Sequence, residues 1–161
     1  MNAMTSLSIR IRDAAAADAA ALSRLLGQLG YPTPPALAVA RLAGLEAGGL
    51  TRVLIAVAGV EAIGFLALTR LDILPYAQPF ARITALCVDE SSRCAGVGRR
   101  LEERAAEIAR GWGCEKIEVT SNRRRTRAHA FYARYGYEDT HRCFVKRLRG
   151  TEREGVHDAS G

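Results

Sequence analysis

The sequence contains no apolar run approaching the roughly 20 residues of a membrane-spanning helix, which excludes a span of that kind. Its first eight residues lack the basic start and apolar core of a signal peptide, so the chain is expected to be soluble, unexported and cytoplasmic. Cysteine is sparse. Cys87, Cys94, Cys114 and Cys143 form no CxxC pair and have no histidine at zinc-ligand spacing, which excludes a disulfide framework and a structural zinc site. Reduced thiols and no bound metal are the expectation. Aromatic residues are few, and none interleaves the basic run at 123–127, so the stacking platform of a single-strand nucleic-acid binder is missing.

What remains is ordinary globular material. A chain of 161 residues buries a core without staples and suits one domain. That domain is placed at residues 1–150, with a polar, glycine-bearing tail at 151–161 expected to fray. The formal charge of +6 fits either nucleic acid or a ligand carrying several phosphates, and charge alone does not choose between them.

Alternation around Ile9 and Ile11 predicts a strand at 8–12, and an alanine-rich stretch predicts a helix at 15–29, stopped by Gly30. Pro32, Pro34 and Pro35 stiffen a loop before a second helix at 36–47. Two apolar runs at 52–58 and 62–71, separated by Gly59, have hairpin spacing. A proline-bearing loop at 74–79 precedes a strand at 81–88. Val97, Leu101, Ala105, Ile108 and Trp112 then recur at helical spacing. A short strand at 116–120, a helix at 126–135 and a closing strand pair at 137–149 complete the order. It predicts an α/β (α+β) fold, with a mixed, mostly antiparallel central sheet flanked by helices.

Between the strand at 81–88 and the helix from Val97 lies Arg93-Cys94-Ala95-Gly96-Val97-Gly98-Arg99. The first N–H groups of a helix have no backbone partners, and the dipole adds about half a positive charge at that end. Glycines at 96 and 98 remove side chains that would hold a phosphate away from these groups. The spacing is R-x-x-G-x-G, without the lysine of a Walker loop or the third glycine of a dinucleotide fingerprint. A second block follows: Glu118 within Ile117 to Thr120, then Asn122, Ala128-x-x-x-Tyr132, and Gly136-Tyr137.

The two blocks, in this order and spacing, resemble the GNAT (GCN5-related N-acetyltransferase) superfamily, across roughly residues 9–148. The resemblance implies that acetyl-CoA is the cosubstrate. It implies that the backbone of Leu86, Cys87 and Val88 binds the pantetheine arm and polarises the thioester carbonyl. It further implies that Arg93, Gly96, Val97, Gly98 and Arg99 hold the pyrophosphate, although Cys94 stands where many relatives have glycine or another polar residue. Leu86 to Val88 would otherwise be plain strand core. Asn122 is placed against coenzyme A by the resemblance, and as a helix cap by its position after a strand.

Tyr132 is implied as the acid that protonates the leaving thiolate, a task suited to a phenol, or else is a core tyrosine. Glu118 should face away from Ile117 and Val119, and a charge there needs work or a partner. In relatives that acetylate protein N-termini the matching glutamate is the base; elsewhere water chains do this. Arg123, Arg124, Arg125 and Arg127 oppose the helix dipole at 126–135, which suggests a nearby anion such as a 3′-phosphate, against a solvated helix start. His129, on the Tyr132 face, is read as a surface residue. Tyr31 and Tyr76 occupy the loops that would flank an acceptor.

The reaction so implied is direct acetyl transfer to a primary amine of a small molecule, amino acid or peptide N-terminus. Asp72 is the one carboxylate in the two loops, which disfavours a polycationic acceptor. An acyl-CoA-binding sensor or partner subunit without catalysis is the alternative. A nucleic-acid binder is disfavoured, no membrane role is expected, and a homodimer is left open.

Overall fold

The computed structural model describes residues 8–148, so the expected tail at 151–161 and the last residue of the closing strand pair lie outside the described residues. The elements are β1 (Ile9–Asp13), α1 (Ala19–Leu29), α2 (Pro35–Gly48), β2 (Thr51–Ala58), β3 (Glu61–Leu71), β4 (Phe80–Val88), α3 (Val97–Gly111), β5 (Ile117–Val119) and α4 (Thr126–Arg134). The five strands form one sheet in chain order. The pairs β1–β2, β2–β3 and β3–β4 are antiparallel, and β4–β5 is parallel. The mixed, mostly antiparallel sheet flanked by helices is thus the observed architecture.

Alternation along the strands divides the core. On one face Leu54, Leu66, Leu68 and Ile83 pack with Val97, Leu101, Ala105 and Ile108 of α3, the helical stripe read from the sequence. On the other, Ile55, Val57, Phe65 and Cys87 pack with Leu22 and Leu25 of α1 and Ala38 and Leu42 of α2. Each fully buried leucine or isoleucine contributes about 1.5–3 kcal/mol by leaving water. A 3-10 turn at Ala16–Asp18 starts α1 in place of a continuous helix from 15. There Asp18 accepts two hydrogen bonds from Arg12, at 2.7 and 2.9 Å, and one from the Ala15 N–H at 2.8 Å.

The closing strand pair is not formed. Residues 137–148 carry no strand, and Phe144, Val145 and Leu148 are 89%, 75% and 88% exposed. The strand that precedes this segment, β5, is three residues long and offers little edge for a strand of ordinary length.

Candidate functional site

The parallel pairing of β4 with β5 spans only Ala81↔Ile117, Arg82↔Glu118 and Ile83↔Val119, while β4 runs on to Val88 against β3. The two strands therefore part beyond Ile83. Among the described residues, the edge of β4 that faces away from β3 has no strand partner from Thr84 to Val88, so its outward N–H and C=O groups are available to a ligand. Leu86, Cys87 and Val88 lie on this edge. A second feature marks the same region: Ser121 Oγ, just past β5, is buried without a hydrogen-bond partner among the described residues.

The chain leaving β4 is held firmly. Asp89 is 7% exposed; its Oδ1 accepts from the Ser91 N–H at 3.0 Å and the Ser91 hydroxyl at 2.7 Å. Arg24 of α1 donates to the Asp89 carboxylate and to the Ala62 carbonyl, the latter at 2.7 Å. Gln28, one turn along α1, donates to Asp89 at 3.3 Å and accepts from the Glu90 N–H at 3.1 Å. None of these three residues was marked by the motif; a buried aspartate at a strand end and an i, i+4 polar pair on an otherwise apolar helix were the available signals.

Beyond this clasp the Arg93–Arg99 loop enters α3. Gly96 takes φ 77° as the residue before the helix, a conformation that costs glycine little. The N–H groups of Val97, Gly98 and Arg99 head the helix without intrahelical acceptors. Cys94 also has a positive φ, 68°, where a side chain is strained. Arg93 is exposed, and Arg99 is exposed but pairs with Glu103 at 2.7 Å. Burial pushes the Cys87 thiol up, opposed first by the charges of Arg93 and Arg125, with Glu90 adding to the rise and Arg24 opposing it. Arg24 is matched by Asp89, which leaves Arg93 and Arg125 against Glu90; that one surplus cation, with free helix-top N–H groups, fits a ligand rich in phosphate.

The two sequence blocks touch directly. A Cβ on Gly98 would lie 3.1 Å from Cε2 of Phe131, so α4 approaches the top of α3 only because that residue is glycine. α4 ends with the Tyr137 N–H bonded to the Tyr132 carbonyl and the Gly136 N–H to that of Ala133, with Gly136 at φ 83°: a Schellman close. Tyr137 then turns back, its hydroxyl donating to Glu102 of α3 at 3.0 Å and its ring 5.4 Å from that of Tyr132. Burial pushes the Tyr132 hydroxyl up to about 12, with the Arg125 charge opposing it, so at neutral pH the phenol keeps its proton.

Asn122 sits at the head of this segment, its side-chain oxygen accepting from the Arg124 N–H at 3.0 Å. That bond leaves its amide N–H groups for a ligand. Of the arginine run, Arg125 donates to the Leu29 carbonyl at 2.8 Å, tying α4 to the end of α1. His129, Arg123, Arg124 and Arg127 are exposed.

Glu118 faces away from Ile117 and Val119, which pack toward α3. Its carboxylate meets Arg82 Nη2 at 3.0 Å and Lys116 Nζ at 2.9 Å. Desolvation raises its pKa, but the hydrogen bonds and charges of Lys116 and Arg82 outweigh this and hold it below the ordinary 4.5. Neither cation was singled out in the sequence, since Arg82 lies 36 residues from Glu118. Tyr76, in the 72–79 loop, packs edge-on to Phe80 and receives Lys116 over its ring; Tyr31 is exposed in the other loop. Among the described residues the four cysteines are unpaired, no acidic, histidine or cysteine cluster is arranged to hold a metal, and no helix is long and apolar enough to cross a membrane.

The arrangement of a split parallel strand pair, a glycine loop at a helix top and a tyrosine-bearing helix against it defines an acetyltransferase of known type. Residues 23–137 match the model of the acetyltransferase (GNAT) family, and the chain belongs to that family. Over 88 residues it is 35% identical to the aminoalkylphosphonate N-acetyltransferase of Salmonella typhimurium. The aligned stretch is 55% of this chain and 57% of that protein, so the similarity spans little more than half of either. The fold is shared with an acetyltransferase of Trypanosoma brucei (TM-score 0.76, 22% identity, 88% of this chain and 100% of the other). It is shared also with AAC(6')-Iy in complex with the bisubstrate analogue CoA-S-monomethyl-acetylneamine (TM-score 0.78, 22% identity, 88% and 99%).

Proposed function

We propose that this protein moves the acetyl group of acetyl-CoA directly to the primary amine of a small acceptor, acting in the cytoplasm. The observation that carries the reading is the open edge of β4 beside the glycine loop. Two similarities support it: the Salmonella relative is by name an N-acetyltransferase, and one structural neighbour is a complex with a CoA-based bisubstrate analogue.

Acetyl-CoA supplies the activated thioester. Backbone groups of Leu86, Cys87 and Val88 align the pantetheine arm and polarise the carbonyl from a fixed strand edge, where no reorganisation is needed. The N–H groups of Val97, Gly98 and Arg99, with Arg93 and the clearance at Gly96, hold the pyrophosphate, and the Asn122 amide adds a donor at the opposite wall. Glu118 receives the acceptor's ammonium. Because its two cation partners depress its pKa, it holds the amine and passes the proton on to water better than it stores one. Tyr132, kept protonated by burial, donates to the departing thiolate. Cys87 lies close to the reacting edge, but its raised pKa keeps it a thiol and disfavours an acyl-enzyme.

Release of free thiol from acetyl-CoA across a panel of amines tests the reading. Tyr132→Phe is expected to lower kcat by about a hundredfold with KM for acetyl-CoA little changed. Full activity in that variant removes the acid role. A thermal shift with acetyl-CoA but no thiol release with any amine would instead identify a sensor.

A further inference from the structure

α4 carries Tyr132 and yet has no buried residue of its own. A helix of nine residues is marginal in water by itself, and this one starts unfavourably. Its first turn holds no acidic residue, and Arg123, Arg124, Arg125 and Arg127 put positive charge at the positive end of its dipole. Contacts with the rest of the molecule must therefore hold it. At its far end Phe131 lies against Gly98, and the Tyr137 hydroxyl donates to Glu102 at 3.0 Å. At its head, where Thr126, Arg127 and His129 are exposed, one side-chain hydrogen bond among the described residues reaches another element. Arg125 Nη2 donates to the Leu29 carbonyl at 2.8 Å.

The anchor suits this bond. Leu29 is the last residue of α1, and Gly30 follows it in the left-handed region at φ 98°. A carbonyl at a helix end lacks an intrahelical donor and sits at the negative end of the dipole, so a guanidinium satisfies it on both counts. The end of α1 is itself fixed to the chain leaving β4, through Gln28 to Asp89 and Glu90 and through Arg24 to Asp89. Asp89 directly follows Val88. Contacts therefore run without a break from the end of the open edge, through Gln28 and Leu29, to Arg125 and α4. Tyr132 follows Arg125 by seven residues, two turns of helix, so both belong to one side of α4. The Arg125 charge acts on the Cys87 thiol and on the Tyr132 hydroxyl alike, which agrees with a guanidinium lying near both strand and helix.

We propose that Arg125 is a positioning residue for acetyl transfer: its bond to the Leu29 carbonyl fixes the head of α4 and so aims the Tyr132 phenol at the open edge of β4. This rests on the acetyl-transfer reading above and adds the residue that sets the acid in place. Without the bond the head of α4 frays while Phe131 and Tyr137 keep its end, so the phenol swings out of line. The step affected is the one in which the C–S bond breaks, its electron pair goes to sulfur and the phenolic proton follows, to be replaced through water by the proton that the acylated amine gives up. The N–H groups at the top of α3 stay where they are, so the grip on acetyl-CoA is spared.

Thiol release measured over acetyl-CoA concentration with a competent amine tests this. Arg125→Met is expected to lower kcat about ten- to a hundredfold, the scale of a misplaced catalytic group, with KM for acetyl-CoA little changed. Arg125→Lys, which keeps a donor able to reach the carbonyl, should recover part of the loss. Arg125→Gln, polar but shorter, should behave as Arg125→Met does and stands in for it if methionine disturbs folding. In a Tyr132→Phe background Arg125→Met should add little, because the bond acts through that phenol. An unchanged kcat, a loss that falls on KM for acetyl-CoA instead, or full additivity with Tyr132→Phe overturns the proposal. If acetyl-CoA binds but no amine releases thiol, the acetyl-transfer reading fails by itself, and amide hydrogen exchange of the CoA-bound protein decides the role of Arg125. Faster exchange across Thr126–Arg134 in Arg125→Met, with Val97–Gly111 unchanged, supports the positioning of α4; equal exchange overturns it.

Discussion

At the scale of single residues, Cys94 holds the least favourable backbone. It sits at φ 68° and exposed, so its side chain adds strain and little packing. Replacing it with glycine removes a left-handed penalty of about 1–2 kcal/mol and adds a chain-entropy cost of about 0.5–1 kcal/mol. Cys94→Gly is therefore expected to raise stability by about 0.5–1 kcal/mol in urea unfolding, with KM for acetyl-CoA equal or lower. A loss of stability would mean that the turn is not left-handed in solution. Glu118 illustrates how far single residues are legible. Its facing was readable from the alternation of Ile117, Glu118 and Val119, and so was its need for a partner. Its partner Arg82 was not, because cross-strand register is set by the whole sheet and leaves no local trace.

Among elements, the contact of α3 with α4 joins the two motifs. Gly98→Ala brings a Cβ to 3.1 Å from the Phe131 ring, which must then move and carry Tyr132 with it. Alanine is the better helix former by about 0.8–1 kcal/mol, so overall stability should change little. KM for acetyl-CoA is expected to rise about tenfold, and Phe131→Leu in the same chain should recover part of it by restoring clearance. Unchanged kinetics in Gly98→Ala would detach α4 from the glycine loop. Element placement was largely legible: hydrophobic period fixed α3 and the strands to within a residue or two. The 137–148 segment was not, because its Phe144, Val145 and Leu148 supply strand-like residues while the segment pairs with no described edge of the sheet. Composition reports a propensity to pair; it does not report whether a partner edge exists.

For the whole molecule, the titrating groups define a stability window. Hydrogen bonding to Arg12 holds Asp18 below its ordinary 3.8, and Glu118 is likewise depressed. Groups lowered on folding stabilise above their unfolded pKa and lose this as pH falls through the folded value, so stability should decline below about pH 4. Tyr132, raised from 10.0 to about 12, and Tyr137, raised further by burial and by Glu102, behave oppositely. Their contribution is complete below pH 10 and is lost as pH rises toward 12, because the unfolded chain releases these protons first. Urea midpoints measured across pH should form a plateau with both declines, and Tyr132→Phe should soften the alkaline one. A midpoint that holds above pH 10 would place both tyrosines in water.

The parting of β4 from β5 has a consequence for how such a chain varies. In the proposed acetyl transfer, recognition along Thr84 to Val88 would be made by peptide groups, which every residue type but proline supplies equally. Side chains there are left to satisfy the core on both faces, so an edge that would grip the donor can stay constant while the packing behind it drifts.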